Sequence, residues 1–447
     1  MKRIIAAVLA LALSTATLTA CGSSSGSTPV DTSTAGSDSS ASTPASDPVS
    51  INVWHMWAED EEPTKMHKRL QAWAEDFNST NQDNITVQVS GAKTADVIMT
   101  TIAAGSTPDI FQNYWNNAPT WADNGALYDL TDFVNNDADW NKADVMSAAW
   151  NLCTYGDKIY SIPFTFSSTF VFYRKDLLAE AGWNTFPSTL EELAQCIKDT
   201  TKLDGNTITQ MGMIPDYPWL DNVLWPAAFG ASWMDGDEVN FDNPEMRAAY
   251  QFQRDIYDAY GYTEIKRFQD TLGARATTED PLFTGKLAMR WQADGALAAM
   301  EEAGQGVEWD IAEFPKASNG KSNQMLTAGV WEMNAQTENP NAAWEVLSSL
   351  TGEETMKKLA EGDFNNGAFF ARKSALEHVA TLDVSDKAKQ VADMLLHGNF
   401  ISFPVSGYIS QYLDMINVNM SDALSGDKTV DEAAANVQEQ VSAIAKK

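Results

Sequence analysis

Two short stretches carry the side chains best equipped to grip another molecule. His55-Met56-Trp57-Ala58-Glu59 and Asn113-Tyr114-Trp115-Asn116 each set aromatic rings beside groups that donate or accept hydrogen bonds. Trp and Tyr present large rigid faces, amides bond in two directions, and carboxylates accept strong bonds from hydroxyls. That is equipment for binding. Residues for other chemistry are harder to find. The four histidines, His55, His67, His378 and His397, show no HxxxH or HExxH spacing, so no metal site is expected, and His67 reads as a surface residue of a helix. Neither GxxxxGK[ST] nor GxGxxG occurs, which removes the common phosphate cradles. The run Asp235-Gly236-Asp237-Glu238 with Asp242 lacks the length and terminal Glu of an EF-hand loop. It reads as a hairpin turn at Asp-Gly, with Asp242 or Asn243 capping a helix at Pro244.

Regular elements must place the two gripping stretches. Ile51 to Trp57 reads as a buried strand; after an acidic turn and Pro63, Met66, Leu70, Trp73 and Phe77 recur at helical spacing. A strand alternating Ile85, Val87 and Val89, a helix from Thr94 to Ala104, and a short strand Asp109-Ile110-Phe111 follow. This βαβαβ order predicts a mostly parallel sheet, in which ligands bind beyond the carboxyl ends of the strands. Both gripping stretches sit just past such ends. Downstream, Ile159 to Tyr173 reads as a long extended run and Lys175 to Ala181 as a helix. Ser188/Glu191, Thr351/Glu354 and Thr429/Glu432 read as capping boxes, and Asn339-Pro340 as a helix start. The last third is mainly helical, with Ile409, Tyr412, Leu413, Ile416, Met420 and Leu424 forming one apolar stripe.

Composition bounds the partners. The 447 residues carry 30 Lys and Arg against 61 Asp and Glu, a formal charge of −31, and are 44% hydrophobic with 15 Trp. Such a chain folds, with length for two or three domains of roughly 150 residues each. Its acidity opposes nucleic acid and anionic lipid surfaces, which bind through clustered Lys and Arg. At the start, Lys2 and Arg3 precede the apolar run Ile4 to Leu13, too short to cross a bilayer, and residues 1–20 read as a signal peptide. Leu18-Thr19-Ala20-Cys21 resembles a bacterial lipobox, which implies cleavage before Cys21 and lipidation of its thiol. Two acyl chains suffice for stable anchoring. Removing Lys2 and Arg3 takes the charge to −33. Residues 22–49, half of them Ser or Thr, read as a disordered tether. Cys153 and Cys196 then remain; they could form one disulfide, but two buried free thiols are the preferred reading.

Five blocks carry a wider likeness. They are Gly105-Ser106-Thr107-Pro108-Asp109-Ile110; Asn124-Gly125-Ala126-Leu127 with Leu130-Thr131; Tyr155 to Pro163 continuing to Tyr173-Arg174-Lys175-Asp176-Leu177; Phe283-Thr284-Gly285-Lys286-Leu287-Ala288-Met289; and Ser425-Gly426 with Thr429 to Ala433. In this order the chain resembles the family 1 extracellular solute-binding proteins of carbohydrate ABC importers, the group that includes maltose-binding protein. The resemblance implies an α/β, two-lobed periplasmic-binding-protein-like fold (class II), each lobe a mostly parallel sheet flanked by helices, with the ligand cleft between lobes. It places hinge crossings near Pro163–Ser167, Ala312–Pro315 and Ser348–Thr351. Lobe 1 is then 50–163 with 315–348, and lobe 2 is 166–312 with 351–447.

The implied ligand is a sugar, which needs aromatic platforms for its C–H faces and two-way hydrogen bonding for its hydroxyls. Strand ends and the family match together nominate Trp57, Glu59, Asn113, Tyr114, Trp115 and Asn116 from lobe 1, with Ser167 at the hinge. Lobe 2 offers Trp219, Asp221, Trp225, Trp291 and Asp294, completed by Tyr408 or Tyr412. Asn116-Asn117 stand where maltose-binding protein has a charged cluster, and Ser167 lies near a lost acidic hinge residue, so maltose specificity does not carry over. The implied partners are a carbohydrate, the permease subunits of an ABC transporter, and a membrane through Cys21. The expected protein is a monomer on the outer face of a Gram-positive bacterium, with no cofactor, metal, nucleic acid or catalytic residue. The alternatives are a glycoside-acting enzyme, since 61 acids permit a carboxylate pair, a binder of a cationic solute such as a polyamine, and a rigid adhesin.

Overall fold

A computed structural model describes residues 48–62, 65–106, 108–218, 222–361 and 368–446. The signal peptide, Cys21 and most of the tether lie outside the described residues, as do Trp219 and Asp221.

Strand β1 (Val49–Trp54) buries Ile51 and Val53 and pairs in parallel with β2 (Ile85–Ser90) and β3 (Ile110–Tyr114). Helix α1 (Met66–Thr80) covers this sheet with Met66, Leu70, Trp73 and Phe77, the expected stripe. Each such residue contributes about 1.5–3 kcal/mol on full burial. Helix α2 (Ala95–Ala103) opens on Thr94, whose hydroxyl accepts from the Val97 amide at 3.3 Å. Three short hairpins intervene downstream, β4 and β5 (Thr154–Tyr155, Lys158–Ile159), β8 and β9 (Lys202–Asp204, Thr207–Gln210), and β10 and β11 (Met234–Asp235, Glu238–Val239). The last turns at Gly236, as Asp-Gly predicts, and Asn243 caps the next helix by accepting from the Met246 amide at 2.9 Å.

Strands β6 (Ser161–Pro163) and β15 (Gly329–Met333) complete the first sheet, in the order β2-β1-β3-β15-β6. The second is built on β7 (Ser167–Arg174), which pairs antiparallel with β12 (Met289–Ala293) along one edge. Along the other edge it pairs with β13 (Trp309–Ala312) and β14 (Asn323–Thr327), and β14 pairs in parallel with β16 (Asn399–Ile401). Among the described strands of each sheet one runs counter to the rest, β15 in the first and β7 in the second. Both begin where the chain has just crossed from the other sheet. The carboxyl ends of the remaining strands therefore face the crossings.

Two crossings differ from those expected. The chain passes from β6 to β7 through 164–166, but it returns at Ala328, between β14 and β15, rather than near Ala312–Pro315. Residues 315–327 thus belong with the second sheet. The third expected crossing, Ser348–Thr351, is also displaced. Arg69 donates to the Lys358 carbonyl at 3.1 Å, and Arg372 donates to the carbonyls of Thr351 and Trp140 at 2.7 and 2.8 Å, so 351–361 and 368–379 pack on the first lobe. The chain changes sides before the helix Asp386–His397, where Gln390 donates to the Ile311 carbonyl at 2.8 Å.

Among the caps, only Thr429/Glu432 forms the reciprocal box. The box read at Ser188 is shifted by one residue, with Thr189 accepting from the Glu192 amide at 3.2 Å. Thr351 instead turns its hydroxyl back to the Leu347 carbonyl at 2.7 Å, leaving Gly352 as the N-cap. Cys153 and Cys196 are both free and buried.

Candidate functional site

Where the strand ends meet the crossings lies a cleft of about 560 Å³. This is within the range of roughly 300–1,000 Å³ typical of small-molecule sites. Met56 and Trp57 reach it from the end of β1, Gln112, Tyr114 and Trp115 from the end of β3, and Thr165 and Ser167 from the first crossing. Thr327, Ala328 and Gly329 line it from the second crossing, and Ala368 and Phe369 from the segment beside the first. None of these described lining side chains is charged.

Four nominated residues, Trp57, Tyr114, Trp115 and Ser167, meet here. Tyr114 is 57% exposed, an unusual degree for an aromatic ring and a free face for a ligand. Trp57 is held from behind by Phe164 and Trp331, at ring-centre distances of 6.1 and 6.4 Å. Its loop is pinned by the Ala92 amide donating to the Trp57 carbonyl at 2.7 Å and the Gly91 amide donating to Glu59 Oε1 at 2.8 Å. Glu59 is therefore exposed and serves the loop rather than lining the cleft. A Cβ at Gly91 would lie 2.7 Å from His55 Cε1 and 2.8 Å from Glu59 Cγ, so glycine is required by this close approach.

Asn113 also stands behind the wall. It is buried; its Nδ2 donates to Glu332 Oε2 at 2.8 Å, while its Oδ1 accepts from the Tyr114 amide at 2.8 Å and from Asn117 Nδ2 at 2.9 Å. Asn116 is half-buried next to this turn and does not line the cleft. Asp294 lies directly behind Ser167, fully buried, and accepts from the Ser167 hydroxyl and, at 2.9 Å, from the Gly295 amide.

The other nominations are placed elsewhere. Trp225 and Trp291 are core residues of the second lobe, and both indole N–H groups donate to the Pro215 carbonyl at 2.9 Å. Tyr412 is fully buried with its hydroxyl donating to the Trp233 carbonyl at 3.0 Å, and Tyr408 stacks on it at 6.4 Å. His67 is not a surface residue either. It is 4% exposed, with its Nδ1 3.0 Å from His55 Nε2. Sequence reasoning missed Met56, Gln112, Thr165, Thr327, Gly329 and Phe369. Met56 lay inside the first gripping stretch and Gln112 one residue before the second. The rest become visible only once the crossings are located.

Burial governs the titrating groups around the cleft. It pushes Asp294 up to about 7 from an ordinary 3.8, against the hydrogen bonds from Ser167 and nearby amides. It pushes Glu332 up to about 8 from 4.5, against those from Asn113 and Ser161. The same burial, reinforced by His67, lowers His55 to about 4. Near neutrality Glu332 is thus mostly protonated and His55 neutral, while Asp294 is divided between its protonated and ionised forms.

The fold and the cleft at its strand ends define a two-lobed binding protein. Residues 72–392 match the model of the bacterial extracellular solute-binding proteins, and the chain belongs to that family. A maltooligosaccharide ABC transporter solute-binding lipoprotein of Streptococcus pneumoniae is 23% identical over 266 residues, 57% of this chain and 58% of that relative. A probable ABC transporter-binding protein of Deinococcus radiodurans is 25% identical over 219 residues, 46% of this chain and 50% of its own. The chain thus spans between half and three-fifths of the length of these relatives. Among solved structures, the sugar-binding protein MalE of Xanthomonas citri has a TM-score of 0.73 at 17% identity, covering 89% of this chain and 98% of its own. CpMnBP1, solved with mannobiose bound, scores 0.70 at 22% identity, covering 88% and 100%. The cyclic α-maltosyl-1,6-maltose binding protein of Arthrobacter globiformis scores 0.69 at 20% identity, covering 90% and 100%. At these identities the likeness establishes the fold, an α/β two-lobed architecture.

Proposed function

We propose that this protein captures an uncharged sugar, an oligosaccharide in the first instance, in the strand-end cleft and delivers it to an ABC importer. The observation that carries this reading is the lining itself, where aromatic rings from Trp57, Tyr114, Trp115 and Phe369 face hydroxyls and an amide from Thr165, Ser167, Thr327 and Gln112. Rings suit the apolar faces of a sugar, and two-way hydrogen-bonding groups suit its rim. A polyamine would call for carboxylates at the wall. The relatives named as maltooligosaccharide and ABC transporter binding proteins point the same way.

Capture works by closure of the lobes, which requires contacts from both, since a ligand bound equally by open and closed forms shifts nothing. The protein acts as a monomer without enzymatic activity, held on the outer face of a Gram-positive membrane by lipid on Cys21 and presenting its closed form to permease subunits. The test is a melting-temperature screen against maltotriose, mannobiose, cyclic maltosides and spermidine. A sugar at 100 times its dissociation constant adds about 2.7 kcal/mol of stability. Stabilisation by spermidine alone, or release of new reducing ends from an oligosaccharide, overturns the reading.

A further inference from the structure

Ser167 faces the cleft with one proton to give, and that proton is already committed. Its hydroxyl donates backwards to Asp294 Oδ1, and Asp294 itself is fully buried, so the carboxylate touches the cleft only through Ser167. A serine hydroxyl has one donor and two acceptor lone pairs. With the donor taken, lone pairs are what Ser167 shows to the cleft. The second carboxylate oxygen, Oδ2, is buried without a hydrogen-bond partner. An ionised carboxylate is costly to hold this way, and a protonated one no longer draws the serine proton so strongly.

We propose that Asp294 is a positioning residue that sets the hydrogen-bond polarity of the cleft, making Ser167 an acceptor for a ligand hydroxyl when ionised and releasing it as a donor when protonated. This rests on reading the cleft as a sugar site. It adds that the ligand presents a hydroxyl donor at Ser167 and that binding is linked to a proton on Asp294. The groups acting on Asp294 are Ser167 and Ser168 from β7 and Gly295 on its own turn, none of them titratable. Burial outweighs them and brings the carboxyl to about 7, within reach of physiological change. By linkage, a ligand that prefers the ionised form binds more tightly as pH rises to that value, then levels off.

The experiment measures the affinity for maltotriose and for mannobiose by calorimetry from about pH 5 to about pH 9, in the full chain and in three variants of confirmed melting temperature. The native protein gains up to about tenfold in affinity per pH unit below neutrality and is flat above it. Asp294→Asn keeps an acceptor for the serine proton and loses the slope. Ser167→Ala loses the slope and about tenfold in affinity at high pH, and Ser167→Thr restores both. A slope that survives Asp294→Asn, or a Ser167→Ala protein with unchanged binding, overturns the proposal. If neither sugar binds the native protein, the function proposed above fails on its own account, and carboxyl-carbon NMR of the free protein decides the present point. The Asp294 carbon should titrate near neutrality and shift to higher pH in Ser167→Ala. No inflection, or one indifferent to Ser167, overturns it.

Discussion

Asn113 Nδ2 donates to Glu332 Oε2 at 2.8 Å across the pair β3 and β15, and through that bond a fully buried acid supports the turn that carries Tyr114 and Trp115. Glu332 also accepts from the Ser161 hydroxyl at 2.9 Å. It therefore links three neighbouring strands beneath the aromatic wall.

Stability should fall as pH rises because of this acid. Its carboxyl stands near 8 in the folded chain against 4.5 ordinarily. The folded form keeps its proton while the unfolded form has lost it, so the contribution is complete below about 4.5, declines between about 4.5 and 8, and is gone above. Glu332→Gln, which mimics the protonated acid, should remove a slope worth a few kcal/mol over that window. Urea melts of both proteins across the range check it; parallel curves would refute it.

His55 should act in the opposite sense. Burial holds it neutral down to about 4, whereas the unfolded side chain takes a proton near 6.5. Stability is lost as pH falls between these values, by roughly 3 kcal/mol over the full window. His55→Gln should flatten the acid limb of the stability profile, read by the same melts.

Trp57→Ala or Tyr114→Ala should weaken sugar binding by about 1–3 kcal/mol each, by analogy with other aromatic stacking, with little change in melting temperature for exposed Tyr114. Trp291→Ala should do the reverse. Emptying a core site costs about 3–5 kcal/mol of stability and leaves the intrinsic affinity of the folded fraction intact. Calorimetry beside thermal melts separates the two classes.

Gly91→Ala should disturb the cleft from behind. The added methyl meets the Trp57 carbonyl oxygen at 2.8 Å as well as His55 and Glu59, so the 55–59 loop must move. A stability loss of about 1–3 kcal/mol, accompanied by weaker sugar binding, is expected. Unchanged affinity would show that the loop absorbs the methyl without moving Trp57.

The first three strands of the first sheet were legible because their signals are local. Alternation at Ile85, Val87 and Val89 and the four-residue stripe on α1 depend only on neighbours in sequence, and the cleft residues Trp57, Tyr114 and Trp115 followed from strand ends. Failures arose where the deciding partner is distant. Nothing within Asn323–Met333 tells that the chain changes sheets at Ala328, because that depends on pairing with Ser167 at one end and Tyr114 at the other. Trp225 and Trp291 have the right residue type for a platform, but the Pro215 carbonyl, 76 residues before Trp291, claims the indole N–H and draws the ring into the core.

The crossings are laced to one another. Phe164 and Thr165 donate to the Gly329 carbonyl at 2.9 and 3.2 Å, the Gly329 amide donates to Thr165 Oγ1 at 2.7 Å, and on the other side Phe166 donates to the Phe369 carbonyl and Ala371 to the Phe164 carbonyl, both at 2.8 Å. Together they form a narrow hydrogen-bonded ribbon. Such a ribbon is stiff in its own plane, where shear or splaying breaks bonds, and compliant out of it, where only torsions change. The closure proposed above would therefore bend this ribbon at Thr165 and Gly329, residues that also line the cleft.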